Sequence, residues 1–137
     1  TRMQSNLSSP YDQSQRRDRR RRPRTPISVA VRQRYRSSER DLLCQAGDIN
    51  SHGMFLAKVF DEHDPIDDRC WLEFTLPDSE VQVRAKAEVV WQTRHQHYQL
   101  MAVRFAVLAP SHRRLIERYA EGKPVAPPLH PFVPNKL

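Results

Sequence analysis

At 137 residues, 38% hydrophobic and 28% charged, the chain has room for one packed domain with polar tails. Cys44 and Cys70 are too few for a zinc site and form no Cys-x-x-Cys pair, and no apolar run approaches the ~20 residues of a membrane-spanning helix. Of the formal charge of +7, +6 falls in residues 1–24 and only +1 in the other 113, so the basic character belongs to one segment. A duplex-binding domain would instead spread it over a folded face.

Residues 1–15 are rich in Ser, Gln and Asn and read as a disordered tail. Residues 16–24, Arg-Arg-Asp-Arg-Arg-Arg-Arg-Pro-Arg, hold seven arginines in nine positions. A guanidinium offers a planar fork that binds phosphate or the O6/N7 edge of guanine bidentately and also stacks on a base, whereas a lysine supplies a flexible point charge. Pro23 biases Arg22 toward extended geometry, so the run should lead into the domain as an extended arm. Taken alone, it is equally a solvated basic tail or a nonspecific polyanion patch.

From Ile27 the pattern changes. Ile27, Val29, Val31 and Tyr35 alternate at period two and predict a half-buried strand, followed by a polar turn over residues 36–40. Further strands are expected from Leu42 toward Ile49, over residues 54–57, over 71–76, over 81–91, and from Tyr98 to Phe105, with an acidic loop at 61–68. Val81, Val83, Ala85, Ala87 and Val89 should share one face. Six or so short strands with almost no intervening helix indicate an all-β chain, a small antiparallel barrel or sandwich. One helix follows: Pro110 and Ser111 form its N-terminal cap, Leu115, Ile116 and Tyr119 its apolar stripe, and Gly122 its C-terminal stop. Residues 123–137 form a proline-rich tail.

A second stretch bears on chemistry: Asp48-Ile49-Asn50-Ser51-His52-Gly53, between two predicted strands. In extended backbone Asp48 and Asn50 point to the same side and can address one ligand. A carboxylate accepts from the N1–H and N2–H₂ donors of guanine, which adenine does not offer. Gly53 permits a positive backbone angle or close approach to the main chain. An Asx-type turn between strands explains the same residues without any ligand. His95-x-His97 has no third ligand, and no nucleophile elbow, phosphate-cradling glycine loop or metalloprotease helix is present, so neither a metal nor an enzyme is expected.

Arg20 and Arg24, four apart before the first strand, followed by Asp48-x-Asn50-x-x-Gly53 after the second, resemble the PilZ domain, a bacterial receptor for cyclic di-GMP. That family carries Arg-x-x-x-Arg and then Asp/Asn-x-Ser-x-x-Gly. Val89-Val90-Trp91 and Ala102-Val103-Arg104-Phe105 extend the likeness through its late hairpin. The resemblance implies a six-stranded antiparallel β-barrel with a C-terminal α-helix and flexible tails, the domain covering residues 16–122. Asn50 stands where serine is usual, and Ala102 where glycine is common.

What the resemblance implies for the site is concrete. Arg20 and Arg24 would take the guanine O6/N7 edge and the phosphates, and Asp48 and Asn50 the other guanine edge or the ribose-phosphate, beside Gly53. Arg19, Arg21, Ser51, His52 and Trp91 form an outer set, Trp91 as a stacking surface or as a rim aromatic. A basic residue at Arg19 accompanies two intercalated ligand molecules in some members. The implied ligand is cyclic di-GMP, two molecules per chain, with no cofactor. The implied partner is an unidentified downstream protein, and the expected compartment is the cytoplasm, with reduced thiols. A nucleotide-free PilZ-like adaptor in pilus or motility control, and a nucleic-acid-binding protein using the arginine arm, are the rival readings.

Overall fold

A computed structural model describes residues 23–65 and 67–123. Arg16 to Arg22, both expected tails apart from Lys123, and the proposed site residues Arg19, Arg20 and Arg21 lie outside the described residues.

Among the described residues, seven strands and one helix follow in order: β1 (Thr25–Pro26), β2 (Ala30–Tyr35), β3 (Leu42–Asn50), β4 (Gly53–Val59), β5 (Arg69–Thr75), β6 (Gln82–His95), β7 (Tyr98–Leu108) and α1 (Pro110–Ala120). All pairings are antiparallel, in the order β3-β2-β5-β6-β7-β4, and β4 pairs back onto β3. The ring is closed, a six-stranded barrel, as the resemblance implied. β1 adds a short seventh strand to β3, Thr25 opposite Ile49 and Pro26 opposite Asp48, while β2 pairs further along the same strand. The predicted first strand is therefore interrupted at residues 27–29. Two backbone bonds bridge the gap, Ile27 N–H to the Gly47 carbonyl and Ala46 N–H to that of Val29.

Side-chain alternation places the core. In β2, Val31, Gln33 and Tyr35 point inward and Arg32 and Arg34 outward. Val83, Ala85 and Ala87 of β6 are buried as expected, but Val81 precedes the strand and is exposed. β4 differs: Met54, Phe55, Leu56, Ala57 and Lys58 are all buried, because Met54 and Leu56 fill the barrel while Phe55 and Ala57 pack outside with Leu100, Trp91 and Tyr98. A continuous apolar run is the signature of a strand covered on both faces. Gln33, a fully buried polar side chain, is satisfied by sulfur: its Nε2 donates to Cys70 Sγ and Met101 Sδ, each at 3.5 Å, and Cys44 Sγ donates to its Oε1 at 3.4 Å. Both cysteines are free thiols, and burial raises the pKa of each.

α1 buries Ile116 and Tyr119 against the barrel. Its N-cap is Ala109, with no side-chain cap; Pro110 takes the first helical position, where its missing N–H costs nothing, and Ser111 lies inside the helix. Gly122 at φ +71° ends it as expected. Among the described residues no helix is long and apolar enough to cross a membrane.

Candidate functional site

The register fixes the site as two cross-strand rows on the outer wall. One row runs Pro26, Asp48, Phe55, Ala102, Trp91 across β1, β3, β4, β7 and β6. The next runs Asn50, Gly53, Arg104, Glu88, Arg69. Asp48 and Asn50 flank the inward-facing Ile49 on the outer side, as extended geometry required.

Asp48 is the unusual member. It faces outward yet is only 6% exposed. Its Oδ1 has no hydrogen-bond partner among the described residues. Among the described residues its ion-pair partner is Arg24, whose Nε lies 3.9 Å from that oxygen, too far for a hydrogen bond. Burial pushes the Asp48 carboxyl above the usual 3.8, and the Arg24 charge opposes this as the smaller effect. A buried, unsatisfied carboxylate oxygen costs about 1–3 kcal/mol or more, a deficit that a ligand N–H would remove. Arg24 itself is positioned by Pro23 and by the pairing of Thr25 and Pro26 with β3.

Asn50 forms an Asx turn: its Oδ1 accepts from the His52 N–H at 2.7 Å and from the Gly53 N–H at 3.0 Å. Serine caps such a turn in the same way, so the exchange of serine for asparagine preserves the local geometry. The glycine at 53 is demanded by the neighbouring strand rather than by a positive angle: a Cβ there would lie 2.1 Å from the Val103 carbonyl oxygen. Ser51 and His52 form the turn, with His52 exposed and its carbonyl accepting from the Phe105 N–H at 2.8 Å.

Trp91 is half-buried and reaches over the small Ala102 to Phe55, ring centroids 6.4 Å apart at 31°. It lies three strand spacings, about 14 Å, from Asp48 along the row. The structure thus gathers Arg24, Asp48, Asn50, Ser51, His52 and Gly53 at one end of the barrel and sets Trp91 on the same wall, further round.

Three contributors escaped the sequence reading. Arg104 pairs with Gly53 and Glu88 in register and has an exposed side chain that ion-pairs Glu88; alternation from Ala102 would have found it. Arg113 of α1 donates from Nη1 to the Ser51 carbonyl at 2.5 Å. Tyr119 of α1 donates to the Pro26 carbonyl at 3.4 Å. The helix is thereby tied to both the turn and the leading strand, a tertiary relationship that no local pattern encodes. A cavity of about 720 Å³ lies at the other end of the barrel, lined by Lys58, Phe60, Asp64 and Arg94 among others and by none of the motif residues. Among the described residues no group of three His, Cys, Asp or Glu side chains could hold a metal ion.

The described residues thus form a closed antiparallel barrel with Arg24 and the buried Asp48 side by side on its outer wall. The chain belongs to the PilZ family: the PilZ domain model matches residues 15–122. This is a family of cyclic di-GMP receptors. No curated protein matches the chain.

Among solved structures, the Bacillus subtilis inhibitor of motility MotI/DgrA is similar at TM-score 0.62 and 18% identity, over 74% of this chain and 49% of that one. The PilZ domain of Escherichia coli YcgR with c-di-GMP gives 0.59 and 14%, over 74% and 88%. Borreliella burgdorferi PlzA in complex with c-di-GMP gives 0.54 and 11%, over 85% and 60%. At these identities the likeness is one of fold. The matched part is about half the length of the MotI chain.

Proposed function

We propose that this chain is a cyclic di-GMP receptor that signals to a partner protein and catalyses no reaction. The observation that carries the reading is Asp48, a buried outward-facing carboxylate with an unsatisfied oxygen beside Arg24, at the motif position of a family of such receptors. Asp48 accepts from the guanine N1–H and N2–H₂, while Arg20 and Arg24 take the O6/N7 edge and the phosphates. Asn50 and Gly53 shape the turn that presents Asp48. Arg104, one pairing position away, adds a cation for a phosphate. Arg19 and Arg21 offset the charge of a second nucleotide, so two molecules bind per chain, and Trp91 offers a ring at the far end of the row.

Binding draws residues 16–24 onto the outer wall and creates a composite surface of arm, ligand and rim for the partner. Seven arginines in nine positions repel one another and supply no apolar side chain to a core, and the phosphates neutralise them. Ordering a backbone residue costs ~1–2 kcal/mol, a penalty the charged contacts must exceed.

Calorimetry of the chain against cyclic di-GMP, with GMP and a short duplex as controls, tests the reading. Saturable heat with cyclic di-GMP alone supports it. Heat with the duplex alone gives the nucleic-acid protein instead, and no heat with any of the three gives the nucleotide-free adaptor. Hydrogen exchange tests the switch: amides of residues 16–24 should gain protection with ligand, and those of β6 should change little.

A further inference from the structure

The far wall of the barrel, over β2, β5 and β6, carries a second surface. Its outward residues again fall in rows. Leu43, Arg32, Glu73 and Arg84 form one, across β3, β2, β5 and β6. Arg34, Trp71, Lys86 and Val107 form the next, across β2, β5, β6 and β7. Three large apolar side chains in these rows face solvent, Leu43 at 72%, Trp71 at 42% and Val107 at 61% exposure. Four cations stand among them against one carboxylate. That carboxylate, Glu73, pairs with both Arg32 and Arg84 at 2.8 Å, and Asp41 at the rim pairs with Arg34. A guanidinium has five N–H donors, so each arginine keeps donors for another acceptor. A groove of about 570 Å³ runs beside Trp71 along Arg34 and Arg36.

We infer that this wall docks an acidic amphipathic helix of a partner protein. The cations call for carboxylates, and exposed tryptophan with arginine is the composition of an interface centre. The closed barrel has no free strand edge here for a peptide strand to extend. Trp71 and Val107 are two strand spacings apart, about 10 Å. Two helical residues seven apart are separated by about the same distance at 1.5 Å per residue. A helix laid along the row therefore seats one apolar residue on Trp71 and the next on Val107, and its positions three and four fall over Lys86, where glutamates belong.

Nucleic acid fits less well. Lys86 Nζ and Arg84 Cζ lie over the Trp71 ring, 4.8 and 5.6 Å from its centroid, as cations on one ring rather than as a path for a phosphate backbone. Glu73 interrupts a phosphate path, and Leu43 and Val107 offer no π-face. The surface shares no residue with the candidate nucleotide site.

The probe is a synthetic helical peptide carrying Leu-x-x-Glu-Glu-x-x-Leu, titrated into the ¹⁵N-labelled full chain without nucleotide. The Trp71 indole N–H and the amides of Arg34, Lys86 and Val107 should shift and saturate. A peptide with both leucines replaced by serine should bind about tenfold more weakly, as should Lys86→Glu and, separately, Trp71→Ser. Because these side chains are exposed, the variants should keep native spectral dispersion. Shifts confined to residues 16–24, or none at millimolar peptide, overturn the proposal. So does a twelve-nucleotide single strand or a phosphatidylglycerol vesicle that moves the same resonances at lower concentration. Concentration-dependent shifts of this wall without peptide assign it to a second copy and also overturn it. No arm uses cyclic di-GMP to define success, so failure here leaves the nucleotide reading untouched.

Discussion

Arg24 Nε stands 3.9 Å from Asp48 Oδ1, close enough to attract and too far to hydrogen-bond. Asp48 Oδ1 is buried with no hydrogen-bond partner among the described residues, and Arg24 is its ion-pair partner. A ligand N–H placed on Asp48 satisfies the oxygen, and the same ligand's anionic groups satisfy the arginine.

Selectivity follows from the hydrogen-bond pattern. In the proposed complex Asp48 accepts from N1–H and N2–H₂, which guanine has and adenine lacks, so cyclic di-GMP should bind far more tightly than cyclic di-AMP. A wrong base costs ~1–3 kcal/mol per contact, about tenfold to a hundredfold. Calorimetry with both dinucleotides measures the ratio; equal affinities would sink the guanine-reading role of Asp48.

Single substitutions separate ligand contacts from scaffold. Arg20→Ala, Arg24→Ala and Asp48→Ala should each weaken binding by ~1.5–3 kcal/mol, the worth of a charged hydrogen bond, and each variant should still fold. Asp48→Ala also removes a buried unsatisfied oxygen and should leave the apo chain as stable or more so. Asn50→Ser should bind as the parent does, since serine caps the same turn. Gly53→Ala belongs to the other class: its Cβ meets the Val103 carbonyl at 2.1 Å, so β4 and β7 must separate and the melting temperature must drop. An unchanged melting temperature in Gly53→Ala would refute the packing argument.

Much of this was legible in the sequence, for physical reasons. Period-two alternation reported β2 and β6 because one face of each is solvated, and the apolar run at Met54 reported β4 because neither face is. Asp48 and Asn50 sharing a side is a property of any extended strand. What local pattern could not supply was the outer covering that buries Asp48, and the contacts from α1, 62 positions from Ser51 to Arg113. The helix cap was misplaced because Ser111 is a good capping residue, whereas Pro110 at the first helical position set the start.

Binding should depend on pH with a sign set by Asp48. Burial raises its pKa in the free chain above the usual 3.8. The guanine donors require the ionised form, so ligand binding expels the proton and lowers that pKa. Affinity is therefore full above the free-chain pKa and falls as pH drops through it, by up to tenfold per pH unit for one proton. For folding the sign is opposite: the raised pKa makes the protonated form the favoured native one, so stability from this group is lost as pH rises from 3.8 through the native value. Isotherms taken in steps of pH should show a one-proton slope that vanishes in Asp48→Asn. A slope that survives the substitution would place the linked group elsewhere.

The last expectation concerns the other end of the barrel, where Lys58 is buried inside the wall at 6% exposure. Its Nζ ion-pairs Asp64, and the second oxygen of Asp64 accepts from Arg40 Nη2 at 2.7 Å. Removing one partner of a buried pair leaves an uncompensated charge, which costs ~3–5 kcal/mol, whereas replacing the charge by a well-packed apolar chain is often neutral. Asp64→Ala should therefore destabilise the chain strongly. The double variant Lys58→Met with Asp64→Ala should recover most of the loss, because no lysine is then stranded. Urea unfolding of the single and double variants measures the coupling directly. Since this pair lies across the barrel from Asp48, every folded member of the series should bind cyclic di-GMP as the parent does. If Asp64→Ala unfolds no more easily than the parent, Lys58 reaches solvent and the pair does not hold this end of the barrel.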